Sequence, residues 1–248
     1  MLSGKKILAI IPARGGSKGI PRKNLRTIAG KPLLAWSILE AKKSSLIDRV
    51  IVSSEDEEIL ALAASFGGDI PFARPRNLSL DDTPGVEPVL HALESLMDFD
   101  YVVVLQPTSP LRIVSDIDGS IEQAVSRQVP SVVTVSIPEK LPFWMCTVGP
   151  TGQLNYLFAE GEDTLRRQDA QEIYALNGAV FVAECNWFKK SKRLDSQESV
   201  CYVMPKERSI DIDDEMDLKV CEALLLDRSK EKGIQVKVTT AYEGVPKI

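Results

Sequence analysis

KKILAIIPARGGSKGIPRKNL, residues 5–25, decides how the rest of the chain is read. Residues 5–11 make a short, almost continuously apolar run, as expected of a parallel strand buried on both faces. A glycine-rich polar loop, residues 13–24, follows at once. In open α/β sheets such a loop, leaving the C-terminal end of the first strand, is where ligands bind. Gly15, Gly16 and Gly19 let the backbone approach a phosphate, whose oxygens the N–H groups can cup. Arg14, Lys18, Arg22 and Lys23 place four cations around that cup, and cations in an acidic chain call for an anion. The spacing is neither that of the P-loop nor that of the dinucleotide fingerprint. A solvated turn with incidental lysines is the other reading of the same residues.

Outward from this stretch, strands and helices alternate. Residues 31–43 read as a helix with Pro32 in its first turn and Leu34, Ile38 and Ala41 on one face. Strands are expected at 49–53, 70–73, 101–106 and 131–137, and helices at 54–66, 86–97 and 115–126. Ser54 can cap its helix, whose first turn is acidic, and Gly67 and Gly68 stop it. A β-α-β-α order implies a mostly parallel sheet with helices on both faces, an α/β protein with right-handed crossovers. After Pro138 the rhythm changes. Residues 143–157 read as a hairpin around 150–152, residues 177–183 as a second apolar strand, and 215–226 as an amphipathic helix returning to the main sheet. Residues 189–193 read as a solvated turn, and 230–248 as an extra strand or an arm.

The 248 residues, 44% apolar and 26% charged, suffice for one sizeable core and exclude a disordered chain. A net charge of −5 disfavours nucleic acid as a partner. No apolar run approaches the roughly 18 residues of a membrane span, and no export signal precedes the first strand. Cys146, Cys185, Cys201 and Cys221 are far apart, which reads as reduced core thiols in a cytoplasmic protein.

Two further segments carry chemistry. QPTSPLR, residues 106–112, ends the strongest strand: two prolines stiffen it while Gln106, Thr108 and Ser109 offer hydrogen bonds. It reads equally as a rigid base-recognition turn or as a strand stop with polar caps. In SIDIDDEMDL, residues 209–218, Asp211 and Asp213 stand at i and i+2, so an extended chain points both carboxylates to one face. Such a pair repels unless a cation is shared, and hard oxygen ligands suit Mg²⁺. Helix capping is the alternative, and both hold together if Asp214 caps while Asp211 and Asp213 bind metal. His91, the single histidine, reads as a half-buried packing residue, and Ser53 and Ser54 lack a histidine partner.

RGGSKGIPRKN, RPRNLSLDDT, QPTSPLR, RRQ, NGAVFV and DIDDEMD, in this order and spacing, resemble the CMP-sialic acid synthetases, the acylneuraminate cytidylyltransferases. The likeness runs from about residue 5 to residue 226. The resemblance implies a Rossmann-like core in one domain, residues 1–248, with a dimerisation and sugar-binding subregion at about 138–185 reaching across a homodimer. It implies CTP and a nine-carbon 2-keto sugar acid as substrates, N-acetylneuraminate or legionaminate as acceptor, and Mg²⁺ or Mn²⁺ as cofactor. By the same resemblance Arg14, Gly15, Gly16, Ser17, Lys18, Asn24, Arg74 and Gln106 bind nucleotide. Arg14, Lys18 and Lys23 act as catalytic cations, Gln106 and Arg167 meet the sugar, and Asp211 and Asp213 hold the metal. Two departures bear on the choice of sugar: Ala175 stands where relatives often carry arginine, and Thr83, Pro84 and Gly85 replace a serine-rich stretch.

The implied reaction is in-line attack of the anomeric hydroxyl on the α-phosphorus. It needs positioning and charge neutralisation more than covalent chemistry. Competing readings are a CMP-KDO type synthetase, another sugar nucleotidylyltransferase, or a silent nucleotide-binding relative. The aspartate pair together with Lys23 argues against silence.

Overall fold

A computed structural model describes residues 2–158, 166 and 171–231. The elements run β1 (Ile7–Pro12), β2 (Thr27–Ile28), β3 (Lys31–Pro32), α1 (Leu33–Ala41), β4 (Arg49–Ser53), α2 (Glu57–Ser65), α3 (Glu87–Ser95) and β5 (Tyr101–Val104). Then come α4 (Val114–Arg127), β6 (Ser131–Ser136), β7 (Cys146–Val148), β8 (Leu154–Tyr156), β9 (Ala175–Glu184), α5 (Cys185–Ser191), β10 (Val200–Val203) and α6 (Glu215–Glu231). Six strands form one sheet in the order β10-β6-β9-β5-β1-β4. All neighbours are parallel except β9, which runs antiparallel between β5 and β6.

The two faces of β1 explain the layering. Ile7, Ala9 and Ile11 pack with Leu34 and Ile38 of α1, Ile59 of α2 and Ile117 and Ile121 of α4. Leu8 and Ile10 point the other way, to Val89 and Leu93 of α3 and Phe188 of α5. A strand covered on both sides needs no polar face, which is why its sequence is nearly all aliphatic. The expected α/β class with helices on both faces therefore holds.

Several expected boundaries shift. The 31–43 helix begins at Leu33, because Lys31 and Pro32 pair antiparallel with Ile28 and Thr27. Asp56, not Ser54, caps α2, its carboxylate accepting from the Ile59 amide at 3.1 Å. Residues 70–73 form no strand: only Asp69 bridges to Ile51. The 189–193 turn is partly helix, since α5 runs to Ser191. Strand β10 had no expected counterpart. Helix α6 does not return to the main sheet. Leu218, Cys221 and Leu225 pack instead on a third cluster with Ile20, Ile28, Leu33 and Leu111. Only Cys185 and Cys221 are buried thiols; Cys146 and Cys201 are exposed, so the expectation of four core cysteines fails for two. Among the described residues no helix is long and apolar enough to cross a membrane.

Candidate active site

The chain steps from β1 to β4 on one side, then returns to place β5 on the other side of β1. That reversal opens a crevice at the C-terminal ends of β1 and β5, the place where open α/β sheets take ligands. A cavity of about 680 Å³ lies there, within the range of small-molecule sites. Arg14, Gly16, Ser17, Lys23, Asn24, Arg74 and Gln106 all line it. Six of the eight nucleotide residues expected from sequence, all but Gly15 and Lys18, thus converge with Lys23 on one cavity, although they come from three separate stretches.

Asn24, Lys23, Arg14 and Arg74 are each held by an identifiable interaction. Asn24, nearly buried, donates its side-chain amide to the Arg14 carbonyl at 2.9 Å and so folds the loop on itself. Lys23 Nζ donates to the Ile212 carbonyl at 2.6 Å and lies 3.9 Å from an Asp213 carboxylate oxygen. This ties the loop to the acidic segment 189 residues later. Gly19 serves the same junction: a Cβ there would collide with the Asp213 carbonyl oxygen. Its smallness lets two chain segments meet, a role other than the expected approach to phosphate.

Arg14 pairs with Asp81 at 2.9 Å and donates to the Leu80 carbonyl at 3.4 Å. Lys18, largely exposed, faces the same Asp81 at 3.5 Å and does not line the cavity. Arg22 turns away altogether, onto Asp56 and onto Glu58 at 2.6 Å. Of the four loop cations, three therefore remain beside the cavity mouth, which Arg74, Lys192 and Arg193 also line. The Gly15 amide is also engaged, donating to Glu55 Oε1 at 2.7 Å.

Arg74 is 4% exposed and donates to Glu55 Oε2 and Ser79 Oγ, both at 2.9 Å. Burial alone would raise the Glu55 carboxyl, but hydrogen bonds from Gly15, Ser79 and Arg74 outweigh it and hold the group below its ordinary value. A carboxylate here occupies donors of the type a phosphate would use.

The aspartate pair departs from the expected geometry. Segment 209–214 is not a strand, and the two carboxylates differ in environment. Asp213 is 84% exposed, whereas Asp211 is half-buried and its Oδ1 is buried with no hydrogen-bond partner. Burial raises the Asp211 carboxyl above its usual value, opposed by a hydrogen bond with the Thr108 side chain. A cation would answer both the orphaned oxygen and the desolvation, so this donor set fits a hard divalent ion. Among the described residues no group of three His, Cys, Asp or Glu side chains is arranged for a metal. Asp214 caps α6, accepting from Met216 and Asp217 amides at 2.7 and 3.0 Å.

Arg167 lies outside the described residues, as do residues 232–248 of the tail. His91 packs edge-on to Phe72 at 4.7 Å and is half-buried, as expected. Two arginine arrangements, one half-buried and one buried, leave no mark in the sequence. Arg208 grips Asp116 in a fork of 2.9 and 2.8 Å, fixing the chain just before the acidic segment. Arg112 is buried at the 106–112 turn. Nothing distinguishes these arginines from surface ones until the strands are stacked.

A crevice at the switch point of a doubly wound sheet, with clustered cations lining it and a carboxylate pair nearby, has the form of a ligand site in an α/β enzyme. Residues 8–204 match the cytidylyltransferase family, and the chain belongs to it, as a nucleotidyltransferase. It is 33% identical to an N-acylneuraminate cytidylyltransferase of Escherichia coli over 92% of this chain, but spans only 54% of that relative. It is also 33% identical to a CMP-N,N'-diacetyllegionaminic acid synthase of Legionella pneumophila, covering 89% of this chain and 96% of that one. A pseudaminic acid cytidylyltransferase of Campylobacter jejuni is similar at 33% identity, over 88% and 96%. The fold matches a structure of CMP:2-keto-3-deoxy-manno-octonic acid synthetase complexed with CTP, TM-score 0.69 over 90% of this chain and 99% of that one, at 16% identity.

Proposed function

We propose that this chain transfers a cytidylyl group from CTP to the anomeric hydroxyl of a nine-carbon 2-keto sugar acid, giving the CMP-sugar and pyrophosphate. The hydroxyl oxygen forms a bond to the α-phosphorus, and the α–β phosphoanhydride bond breaks. The hydroxyl proton passes to a carboxylate of the Asp211 and Asp213 pair. Arg14 and Lys23 stand on the cavity wall to hold the phosphates, and Lys18 approaches from outside once freed of Asp81. Charge grows on the departing pyrophosphate, so fixed cations there stabilise the transition state more than the ground state. Mg²⁺ or Mn²⁺, held by Asp211 and Asp213, would supply charge screening at the α-phosphate. Gln106, on the cavity wall, is proposed to meet base or sugar.

The observation that carries this reading is the Lys23 junction, which brings loop cation and aspartate pair together beside one cavity. The relatives' names point to sialic-type acids as acceptors, with N-acetylneuraminate and legionaminate as the first candidates. Arg167 is proposed to grip the acceptor's carboxylate with paired hydrogen bonds that lysine cannot supply. Arg167→Lys is then expected to raise KM for the acid while CTP binding stays unchanged. The opposite pattern would assign the arginine to nucleotide. The governing experiment follows pyrophosphate release with CTP, UTP, dTTP and GTP across sugar acids and sugar phosphates. CTP with a nine-carbon acid must lead.

The same reading includes a homodimer built through residues 138–185, acting in the cytoplasm. Strands β7 and β8 form a separate two-stranded sheet with every residue exposed. Val148 and Leu154 there are 76% and 56% exposed, and apolar exposure of this kind supports a partner surface. Val148→Asp with Leu154→Asp should yield monomers in sedimentation. A dimer that survived would place the interface elsewhere.

A further inference from the structure

Arg112 is 1% exposed, the largest of the fully buried side chains, and has no carboxylate against its guanidinium. Nη1 donates to the carbonyls of Gln106 at 2.7 Å, Ser109 at 3.0 Å and Ala179 at 3.1 Å. Nη2 donates to the Ser37 hydroxyl. Glu40, Asp116 and Asp211 act on it only through space, and burial lowers its pKa to about 10, so it stays charged near neutrality. A buried guanidinium among neutral partners is a poor stabiliser, since an apolar side chain of similar volume packs without the desolvation loss. What it does provide is one rigid planar group whose Nη1 reaches carbonyls of the turn 106–109 and of β9, while Nη2 reaches Ser37 on α1.

Those carbonyls belong to the junction of the site. Gln106 leaves β5 into the cavity. Ala179 follows Gly178, where β9 shifts register against β6 between Val133 and Val135. Gly178 has φ +69°, and a Cβ there would sit 3.2 Å from Gln106 Oε1 and 3.9 Å from Asp211 Oδ2. The irregularity therefore brings Gln106 and Asp211 to one point. The turn aligns the acidic segment as well, because the Thr108 carbonyl accepts from the Ile212 amide at 2.9 Å.

We infer that Arg112 is a positioning residue for this site: its buried fork holds turn 106–109 against the irregularity at 177–179, so that Gln106 and Asp211 keep one mutual arrangement. The effect on turnover rests on the cytidylyltransfer reading; the effect on local order does not.

Arg112→Lys keeps the charge and loses the fork. Ile121→Val, a core change on α4 away from the cavity, serves as the stability control. Well below its Tm, Arg112→Lys is expected to lose about tenfold in kcat with KM for CTP within about twofold. Amide exchange at 106–109 and 177–179 should quicken about tenfold while β1 stays protected. Gln106→Ala added to Arg112→Lys should cost less than Gln106→Ala alone, because the two act on one arrangement. A variant that melts earlier, like the control, yet keeps kcat and local protection overturns the inference. If Arg112→Lys fails to fold, Ser37→Ala removes one partner and should reproduce a several-fold share of both effects; unchanged exchange and kcat there would also overturn it. Wild-type protein releasing no pyrophosphate with any acceptor would instead overturn the cytidylyltransfer reading, leaving the exchange measurement to judge Arg112.

Discussion

The 13–24 loop and the 106–112 turn both border one cavity and both carry arginine, and they treat its charge in opposite ways. Arg14 and Lys18 lie in water at the mouth, neutralised by Asp81, itself 53% exposed. Arg112 lies in the interior, neutralised by no carboxylate and fastened by carbonyls. Exposed ion pairs are worth about 0–1 kcal/mol and exchange readily. A phosphate can therefore displace Asp81, whereas nothing soluble can displace the partners of Arg112. The movable cations suit substrate binding; the immovable one suits geometry.

The largest effect should come from the acidic segment that both regions touch. Asp211→Ala is expected to lower pyrophosphate release by about a hundredfold or more at limiting Mg²⁺. Near-normal turnover would remove Asp211 from metal binding and leave its buried oxygen without a role. Next, Lys23→Ala should slow the reaction by about a hundredfold. Because Lys23 Nζ also bonds the Ile212 carbonyl, about 1 kcal/mol of stability should go with it. If the variant melted much earlier and kept its rate, the lysine would be a strut between loop and acidic segment and nothing more.

A smaller effect separates Glu55 from the exposed carboxylates. Its folded pKa lies below its ordinary value, so it adds stability that is fully present above the unfolded pKa near 4.5. That stability is lost as pH falls through the lowered folded value. Glu55→Gln should flatten the acid side of the stability curve and, at neutral pH, lose about 1–3 kcal/mol by leaving buried Arg74 poorly paired. An acid limb unchanged in urea titrations would mean that the hydrogen bonds from Gly15 and Arg74 are not what lowers Glu55.

The smallest effect tests the mouth itself. Asp81→Asn frees Arg14 and Lys18, and should lower KM for CTP by about two- to fivefold at low salt. The gain should fade at about 1 M salt, where the screening length falls to about 3 Å. Weaker CTP binding in Asp81→Asn would show that Asp81 orders the loop for substrate, and the contrast with Arg112 would narrow.

Local pattern carried much of this protein. Strand β4 is found at its expected residues, and β1, β5, β6 and α4 shift by only one or two at their ends, because burial on both faces or one amphipathic stripe leaves its mark in consecutive residues. The loop 13–24, Gln106 and the aspartates were visible because glycine, cation and carboxylate spacing is a local property. What tertiary structure decided is everything that depends on a partner distant in the chain. Strand β10 shows no clear alternation, and the position of β9 between β5 and β6 is set by pairing. Arg22 and Arg14 look alike in sequence, yet one meets Asp56 and Glu58 and the other the cavity. Gly15 and Gly19 look like phosphate glycines, yet one amide is taken by Glu55 and the other residue makes room for Asp213. Arg112 gives no local sign of burial, since a guanidinium goes inside only where folding assembles enough carbonyls to receive it. Sequence names the groups available for chemistry; the packing of remote strands assigns each one its partner, because desolvation and hydrogen bonding are set by neighbours in space.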